Sequence, residues 1–316
     1  MNGKRVVVGL GELLWDVLPT GRQLGGAPAN FAYITSLLGD EGIPASRIGQ
    51  DSLGTEAIHR LAELQLSTDF IQKDSDHPTG TVKVEVDRTG QPRFEISESV
   101  AWDFFAWTPH WQSLAQAADA VCFGSLAQRS ENSRATIHTF LRAMRPEALR
   151  VFDVNLRQDF YTAQILAESM KAASLVKLNH EELPRIMRMF ESESHGVDNH
   201  GFDNHGFEHR SEEYAARRLL SAHDLKLVCV TRGTNGSLLV SANKSSEHPG
   251  FKVTVADTVG AGDAFTAALV HGYLRGTPLA QINETANRVG GWVASQSGAM
   301  PSPGAANFEQ TLAKIG

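Results

Sequence analysis

One short stretch near the C-terminus combines residue types that could carry out proton and phosphate chemistry. It reads DTVGAGDAF, from Asp257 to Phe265, and follows the β-branched run Val253–Val255. This order predicts a strand, a glycine-rich turn and a helix that begins near Asp263. The N–H groups at a helix N-terminus attract anions, whereas a carboxylate repels a resting phosphate. The combination therefore suits a step in which a hydroxyl loses its proton while charge builds on phosphate oxygens.

Two common phosphate-binding loops can be excluded at this stretch. The chain contains no G-x-x-x-x-G-K-[ST] pattern, so a Walker-type nucleotide site is not expected. GAGDAF begins like the dinucleotide fingerprint, but Phe265 stands where the third glycine is needed, and Asp263 would face a pyrophosphate with like charge. Phosphoryl transfer is the interpretation that remains, beside the plainer one that Asp263 is a helix cap.

A framework of alternating elements is predicted to position these residues. Short β-branched runs alternate with longer segments of helical period, which is typical of parallel strands joined by crossover helices, so the fold class is α/β. The predicted strands are Arg5–Gly9, Ala45–Ile48, Ala120–Phe123, Val151–Val154, Leu175–Leu178, Leu227–Thr231 and Ser237–Val240. The predicted helices are Ala29–Leu38, Thr55–Leu64, Asn132–Arg145, Gln164–Ala173, Glu212–Ser221, Gly262–Arg275 and Leu279–Ser295.

One stretch that departs from this alternation predicts a second, smaller sheet. Thr79–Ser97 alternates polar and apolar residues around DRTGQP, which indicates a hairpin. Trp15–Gly26 could supply further strands beside it. We expect these lid strands to lie within about residues 13–26 and 79–105 and to cover the main sheet.

A histidine-rich stretch, about residues 191–211, interrupts the pattern again. His195, His200, His205 and His209 recur at intervals that do not place them on one face of a helix or strand. A solvated insertion between two helices is therefore favoured over a metal-binding tract.

The overall composition limits the classes of partner. A chain of 316 residues with 41% hydrophobic content can form one large domain, residues 1–316. The net charge of −7 and the absence of a basic run argue against nucleic acid or an anionic membrane and favour a small-molecule ligand. Cys122 and Cys229 lie in apolar, strand-like runs, which favours a reducing cytoplasm, and Glu12 interrupts an N-terminal apolar run that is too short to span a membrane.

Several motifs, taken together in their order along the chain, resemble one family. DTVGAGDAF resembles the C-terminal signature of the ribokinase-like (PfkB) carbohydrate and nucleoside kinases, and GGAPANFA, Gly25–Ala32, resembles their N-terminal signature. The resemblance also takes in FDVNLR (152–157), KLNHEEL (177–183) and VTRGTNGSLL (230–239), and it covers essentially the whole chain. Each motif alone is a weak signal, but their order makes the resemblance specific. It implies a ribokinase-like three-layer sandwich, with a central, mostly parallel sheet flanked by helices and a small β-strand lid.

The resemblance implies roles for the residues that match its motifs. Asp263 matches the general base that takes the proton of the substrate hydroxyl, and the amides of Gly260, Ala261 and Gly262 match the anion hole. Arg157 is implied near the transferred phosphate. The other residues implied to contact the sugar are Asp16, Gly25, Gly26, Asn30 and Asn155. Trp102 is a further candidate for the sugar site through aromatic stacking, although core packing is an equally good interpretation.

Nucleotide and cation sites are implied in the same way. The matching nucleotide residues are Asn179, Glu182, Thr231, Gly233, Gly236, Gly262 and Asn287. Asn179 and Glu182 match an Asn-x-x-Glu element that organises water-held Mg²⁺, although a helix cap would use the same geometry. A K⁺ ion is implied at main-chain carbonyls of Asp257 and Val259 and of a second loop that contains Gly298 and Ser302. The implied cofactors are therefore ATP, Mg²⁺ and, in part of the family, K⁺.

The implied reaction is transfer of the ATP γ-phosphoryl group to a primary hydroxyl of a monosaccharide. GELLWDVLPTG and FDVNLR are most similar to bacterial fructokinases, which predicts D-fructose as substrate and fructose 6-phosphate as product. A kinase of 2-keto-3-deoxygluconate, which would need a further cation such as Arg22, Arg93 or Arg129, is an alternative, as are ribokinase and nucleoside kinase. A non-catalytic sugar sensor is the alternative from another class. A homodimer through the lid is compatible with catalysis, because exposed strand edges tend to be covered by a partner.

Overall fold

The computed structural model describes residues 3–18, 21–86, 92–193, 209–302, 308 and 312–313. The strands are β1 (Val6–Leu10), β2 (Leu14–Leu18), β3 (Gly21–Gly25), β4 (Glu41–Gly49), β5 (Ile71–Asp74), β6 (Gly80–Val86), β7 (Pro92–Ile96), β8 (Ala120–Phe123), β9 (Leu149–Asp153), β10 (Leu175–Asn179), β11 (Leu227–Thr231), β12 (Ser237–Val240) and β13 (Ser245–His248). The helices are α1 (Ala27–Leu37), α2 (Ser52–Glu63), α3 (Pro109–Ala117), α4 (Glu131–Ala143), α5 (Ala163–Ala172), α6 (Glu182–Glu193), α7 (His209–Ala222), α8 (Ala261–Leu274) and α9 (Leu279–Ala294).

A nine-stranded sheet forms the centre of the molecule, in the order β13-β12-β11-β10-β9-β8-β1-β4-β5. All neighbours from β11 to β5 pair in parallel, whereas β12 and β13 form an antiparallel edge. Parallel strands end along one edge of a sheet, so the residues that follow β1, β9, β10 and β11 are brought together there. The α/β prediction is thus confirmed.

Helices cover both faces of this sheet and give the predicted three layers. Successive side chains of β1 point to opposite faces, so Val7 belongs to one apolar core and Val8 to the other. The core on one face includes Trp111 of α3 and Phe140 of α4, and the core on the other face includes residues of α1, α2, α8 and α9. Residues Ala264 to Val270 of α8 are all buried, which fits a helix surrounded by other elements.

A second sheet of four strands, in the order β3-β2-β6-β7, corresponds to the predicted lid strands. The hairpin predicted within Thr79–Ser97 is present as β6 and β7, and β2 joins it by pairing in parallel with β6. The indole N–H of Trp15 on β2 donates to the carbonyl of Leu53 on α2 at 3.0 Å. The small sheet is therefore hydrogen-bonded to the main body at this point.

Two sequence predictions concern residues that the structure describes only in part. Of the histidine-rich stretch, His195, His200 and His205 lie outside the described residues, and His209 begins α7. In the parts of the chain that are described, no group of three or more His, Cys, Asp or Glu residues could hold a metal ion. None of the helices in those parts is long and apolar enough to cross a bilayer.

Candidate active site

The base candidate Asp263 lies in the first turn of α8 and contacts a residue from the other end of the chain. The side-chain N–H of Asn30 in α1 donates to Oδ2 of Asp263 at 2.8 Å, across 233 positions of sequence. Asn30 is 3% exposed and Asp263 is half-buried. The N-terminal and C-terminal signatures therefore meet at one carboxylate.

The N-terminus of α8 has no side-chain cap, which leaves it available to an anion. Its N-cap residue Gly260 has a φ of 77° and no side chain accepts from the first turn. The N–H of Ala261 already bonds the carbonyl of Thr258 at 3.3 Å. The three amides predicted to form the anion hole are consequently not equivalent, because that of Ala261 has a partner within the protein.

A buried ion pair beneath this turn was not predicted. Nζ of Lys177 on β10 donates to Oδ1 of Asp153 at the end of β9 at 3.0 Å, and the hydroxyl of Thr266 on α8 donates to Oδ2 of Asp153 at 2.9 Å. A Cβ at Gly262 would lie 3.0 Å from Nζ of Lys177, so the ammonium approaches the turn closely. The sequence does contain one indication of this pair, a lysine within the apolar run SLVKLN. A charged side chain at a buried strand position needs a partner of opposite charge.

The charge of Lys177 is maintained by its surroundings. Burial by itself would lower the pKa of Lys177, but the carboxylates of Asp153, Glu182 and Asp263 raise it above its ordinary value. The ammonium therefore stays protonated and places positive charge next to the helix N-terminus.

Three carboxyl groups in this region bind protons more tightly than usual. The pKa of Asp263 is raised to about 6, mainly by burial and in addition by the charge of Asp153, whereas Asn30, Lys177 and Arg157 oppose the shift. Burial likewise raises the pKa of Asp16 to about 6 and that of Glu12 to about 7. A carboxylate with a pKa near 6 is a stronger base than an exposed aspartate and is still ionised at neutral pH.

Two glycines predicted to contact the sugar lie where the lid sheet leads into α1. Gly25 and Gly26 approach other chain atoms closely: a Cβ at Gly25 would lie 2.5 Å from Oδ2 of Asp16, and one at Gly26 would overlap the carbonyl of Glu12. Gly26 also has a φ of 109°, which side chains rarely adopt. Because neither glycine has a side chain, the carboxylate of Asp16 and the start of α1 can lie close together.

The loop after β9 supplies the other predicted contacts. Asn155 has a φ of 47°, a left-handed conformation that asparagine tolerates better than most residues. Arg157 is exposed, and its charge lowers the pKa values of Asp16, Glu12 and Asp263 against the effect of burial. The charge of Arg157 thus acts on this group of carboxyl groups, and its role near the transferred phosphate stays a prediction.

The prediction of Trp102 as a sugar-binding residue is wrong. Trp102 is 0% exposed, so its ring has no surface to offer a ligand. It lies beside the guanidinium of Arg129, 4.0 Å from the ring centre, and Arg129 makes two 2.8 Å bonds to Asp103. The equally weighted interpretation as core is the correct one.

Asn179 and Glu182 form a reciprocal cap that joins two loops of the site. Oδ1 of Asn179 accepts from the N–H of Glu182 at 2.9 Å, and Oε2 of Glu182 accepts from the N–H of Asn179 at 2.8 Å. Oε1 of Glu182 accepts from Leu156 in the loop that carries Arg157, at 2.9 Å. Each carboxylate oxygen of Glu182 already accepts one backbone N–H, and its remaining lone pair is compatible with a water of a hydrated magnesium ion.

The remaining nucleotide candidates border the same edge of the sheet. Thr231 pairs in register with Asn179, and Gly233 and Gly236 lie in the turn that follows, with φ values of 57° and 80°. Asn287 is different, because its side-chain N–H groups already donate to Ser237 at 2.7 Å and to the carbonyl of Asn283 at 2.8 Å. The contact between Asn287 and adenine stays a prediction. Because the side-chain N–H groups are occupied, such a contact would use the side-chain oxygen.

The side chain of Asp257 joins the two segments predicted to enclose K⁺, residues 257–259 and 298–302. Its Oδ1 accepts from the N–H of Val259 at 3.0 Å and its Oδ2 from the N–H of Gly298 at 3.2 Å. A Cβ at Gly260 would lie 2.5 Å from that of Ala299, so this loop packs directly against the α8 turn. Ser302 is exposed at the end of the same segment.

Comparison with known proteins adds independent observations. The family model described as pfkB family carbohydrate kinase matches residues 11–305. A sugar kinase of Pyrococcus horikoshii is 29% identical over 94% of this chain and 93% of its own length. A fructokinase of Salmonella typhimurium is 32% identical over 85% of this chain and 84% of its own length.

Solved structures show the same fold. The Pyrococcus horikoshii sugar kinase in complex with ATP has a TM-score of 0.76 and 27% sequence identity, and the match covers 94% of this chain and 95% of that one. A fructokinase of Vibrio cholerae with bound fructose, ADP and calcium has a TM-score of 0.78 and covers 99% of both chains. At 23% identity, the latter is a likeness of fold alone.

Proposed function

The chain belongs to the pfkB family of carbohydrate kinases and has its ribokinase-like fold, and on this premise we propose that it phosphorylates D-fructose to fructose 6-phosphate with ATP. The observation that carries the proposal is the Asn30–Asp263 pair at the open N-terminus of α8. A base and an anion-binding turn converge there, as transfer of a phosphoryl group to an alcohol requires. The ATP complex of the Pyrococcus relative and the fructokinase names at 31% and 32% identity support the choice of donor and sugar.

The proposed reaction transfers one proton and one phosphoryl group. The acceptor hydroxyl gives its proton to the carboxylate of Asp263 while its oxygen forms a bond to the γ-phosphorus. The bond from that phosphorus to the β,γ-bridging oxygen breaks, and its electron pair leaves with ADP. The N–H groups at the start of α8, with Lys177 beneath them, stabilise the charge on the transferred group. Asp263 then releases its proton to solvent.

The other proposed roles follow from position. The sugar is held by Asp16, Gly25, Gly26, Asn30, Asn155 and Arg157. The four-stranded sheet closes over the sugar and excludes water as a competing acceptor. The nucleotide is bordered by Asn179, Glu182, Thr231, Gly233, Gly236 and Gly262. Bound Mg²⁺, held through water near Glu182, would neutralise phosphate charge, and K⁺ at the Asp257 loop would strengthen the field of the turn.

A neutral sugar fits better than 2-keto-3-deoxygluconate. Two of the three arginines that could bind its carboxylate are already paired, Arg22 with Glu56 and Arg129 with Asp103. The side chain of Arg93 lies outside the described ones. Fructose carries no charge that would need such a partner.

A coupled ADP-release assay tests the proposal directly. The panel is fructose, ribose, tagatose, 2-keto-3-deoxygluconate and adenosine, with Mg²⁺ and K⁺ present and the Asp263→Asn variant as a blank. We expect the highest kcat/KM with fructose and identification of the product as the 6-phosphate. A higher kcat/KM for another acceptor would overturn the choice of sugar. Sugar binding by calorimetry without any turnover would instead favour the sensor.

We also propose that the lid sheet forms a homodimer interface. Val17 on β2 is 38% exposed, and β3 and β7 are the edges of the four-stranded sheet, where unpaired backbone groups attract a partner strand. Sedimentation of the wild type should give twice the chain mass, and Val17→Asp should shift it towards the monomer.

A further inference from the structure

A buried carboxyl group beside the base has no part in the mechanism given above. Glu12 lies in the connection between β1 and β2 and is 4% exposed. Its carbonyl oxygen lies against Gly26, the residue before α1, and the backbone N–H groups of Glu12 itself and of Ala27 oppose the rise in the pKa of its carboxyl group. Gly26 provides no side-chain cap for α1, so Glu12 packs against an uncapped helix end.

Two buried side-chain oxygen atoms on the segments that meet at the start of α1 have no hydrogen-bond donor. They are Oε2 of Glu12 and Oδ1 of Asn30. Asn30 is the residue whose N–H donates to Asp263 at 2.8 Å. An ionised carboxylate can only accept, so a buried oxygen that no donor reaches disfavours the ionised form of Glu12, whereas a protonated carboxyl group carries a donor of its own.

The charges that face Glu12 also disfavour its ionised form. Asp263 on α8 is negative, and the cation that acts on Glu12, Arg157, is exposed and therefore screened by solvent. Lys177, the buried cation nearby, is held by Asp153 at 3.0 Å, and the thiol of Cys122 on β8 contributes no positive charge. An ionised Glu12 would add a second negative charge beside the base and the incoming phosphate.

We propose that Glu12 is a positioning residue that carries a proton on its carboxyl group in the active enzyme, holding α1 and Asn30 in place while Asp263 alone bears the negative charge. The inference rests on the proposed function only in taking Asp263 as the base. It agrees with the order of the two pKa values, about 7 for Glu12 and about 6 for Asp263, since the more weakly acidic group keeps its proton after the other has lost it.

A spectroscopic titration tests the proton without reference to any substrate. The full-length, unliganded protein is labelled with ¹³C at the glutamate side-chain carboxyl and titrated by NMR between pH 4 and 9. We expect one signal with a midpoint near 7 that is missing in Glu12→Gln and retained in the control Glu131→Gln, an exposed position on α4. A Glu12 midpoint below about 5, the ordinary range of glutamate, would overturn the proposal.

Kinetics test the positioning role. Glu12→Ala should lower kcat at least tenfold, and Glu12→Gln, which is neutral and keeps an N–H donor, should restore most of that loss at pH 7. In the wild type, kcat/KM should fall as the pH rises through the Glu12 midpoint, and Glu12→Gln should remove that fall. Equal losses in both variants, or an unchanged alkaline limb in Glu12→Gln, would contradict the proposal.

The two proposals can fail separately. If Glu12 titrates near 7 but fructose is not phosphorylated, the choice of substrate fails and the protonated Glu12 stands. If fructose is turned over while Glu12 is ionised at pH 5, the function stands and the inference fails. Because Glu12→Gln changes a single atom, its thermal unfolding should match that of the wild type at pH 5, which keeps the comparison interpretable.

Discussion

The proposed chemistry of this site depends on one aspartate, Asp263, whose surroundings, more than its residue type, suit it to act as a base. Asp263 is half-buried, accepts one bond from Asn30 and lies near a second carboxylate, Asp153. Burial and like charge raise its pKa, and the bond from Asn30 holds it in a fixed direction. A helix cap exposed to water would have neither property.

Asp263→Asn removes the base while keeping the shape of the side chain. We expect kcat to fall by about 10²–10⁴, because a positioned general base typically contributes that factor, with the affinity for ATP largely unchanged. Asp224→Asn, an exposed position after α7, is the matched control and should keep wild-type turnover. A kcat for Asp263→Asn within threefold of the wild type would remove Asp263 from the role.

Asn30→Ala should move the acid limb of the pH profile. The N–H of Asn30 stabilises the ionised form of Asp263, so its loss raises the pKa of Asp263 above about 6. In the wild type kcat/KM should fall below a pH of about 6, and in the variant the fall should begin at higher pH. A limb that moves to lower pH, or not at all, would show that another group controls it.

The sequence predicted those site residues whose roles depend on motifs and missed those whose roles depend on burial. Asp263, Asn30 and Arg157 could be singled out because they lie in recognisable motifs, and the structure brings Asn30 and Asp263 into contact, while their roles stay predictions. Lys177 was not assigned a role, because its partner Asp153 becomes visible only when β9 and β10 pair. Trp102 was misjudged for the same reason, since a sequence does not show which aromatic face is covered.

At the scale of elements, the turn before α8 depends on backbone shape that only glycine provides. Gly260 has a φ of 77°, and a Cβ there would lie 2.5 Å from Cβ of Ala299, in the segment 298–302. A side chain at this position would therefore push apart the two segments that form the anion-binding end of the helix.

Gly260→Ala should lower kcat about tenfold or more and raise the KM for ATP, because the amides at the helix start lose their alignment. Gly276→Ala is the control for backbone strain alone. Gly276 also has a positive φ, 67°, but no atom lies within 4 Å of its Cβ position, so a side chain there would meet no steric clash. Steady-state kinetics of both variants should show a loss in the first alone. Equal activity of the two would mean that the close packing at Gly260 is not needed.

Strands buried on both faces were predicted nearly to the residue, whereas the strand predicted at Val253–Val255 is wrong, because this run is half-exposed and pairs with no described strand, and α6 and β13 were missed. The predicted strands at 120–123, 227–231 and 237–240 have the observed bounds, because these strands are buried on both faces and read as continuous apolar runs. α6 was missed although its proline, Pro184, lies in the first helical turn, where proline loses no intrahelical hydrogen bond. β13 reads SSEH, an edge strand with no apolar face to reveal it.

At the scale of the whole molecule, the sheet gathers carboxyl groups at one edge, and the fold raises their pKa values. The pKa values of Glu12, Asp16 and Asp263 are all raised, mainly by burial. Asp40 behaves in the opposite way: burial would raise its pKa, but His271 and Arg275 lower it below the ordinary range. Groups of the first kind stabilise the folded state at low pH, and Asp40 stabilises it above the acid range.

The free energy of unfolding of Glu12→Gln should therefore exceed that of the wild type at pH 8 and be close to it at pH 5. A carboxyl group with a pKa of 4.5 in the unfolded chain and about 7 when folded favours folding while it keeps its proton, and this advantage disappears as the pH rises from 4.5 to 7. A shift of that size corresponds to at most about 3 kcal/mol between the two pH values. Urea unfolding of both proteins at each pH measures the difference. The same difference at pH 5 and pH 8 would mean that Glu12 is already ionised in the folded protein at pH 5, because only a proton bound more tightly in the native state makes this substitution depend on pH.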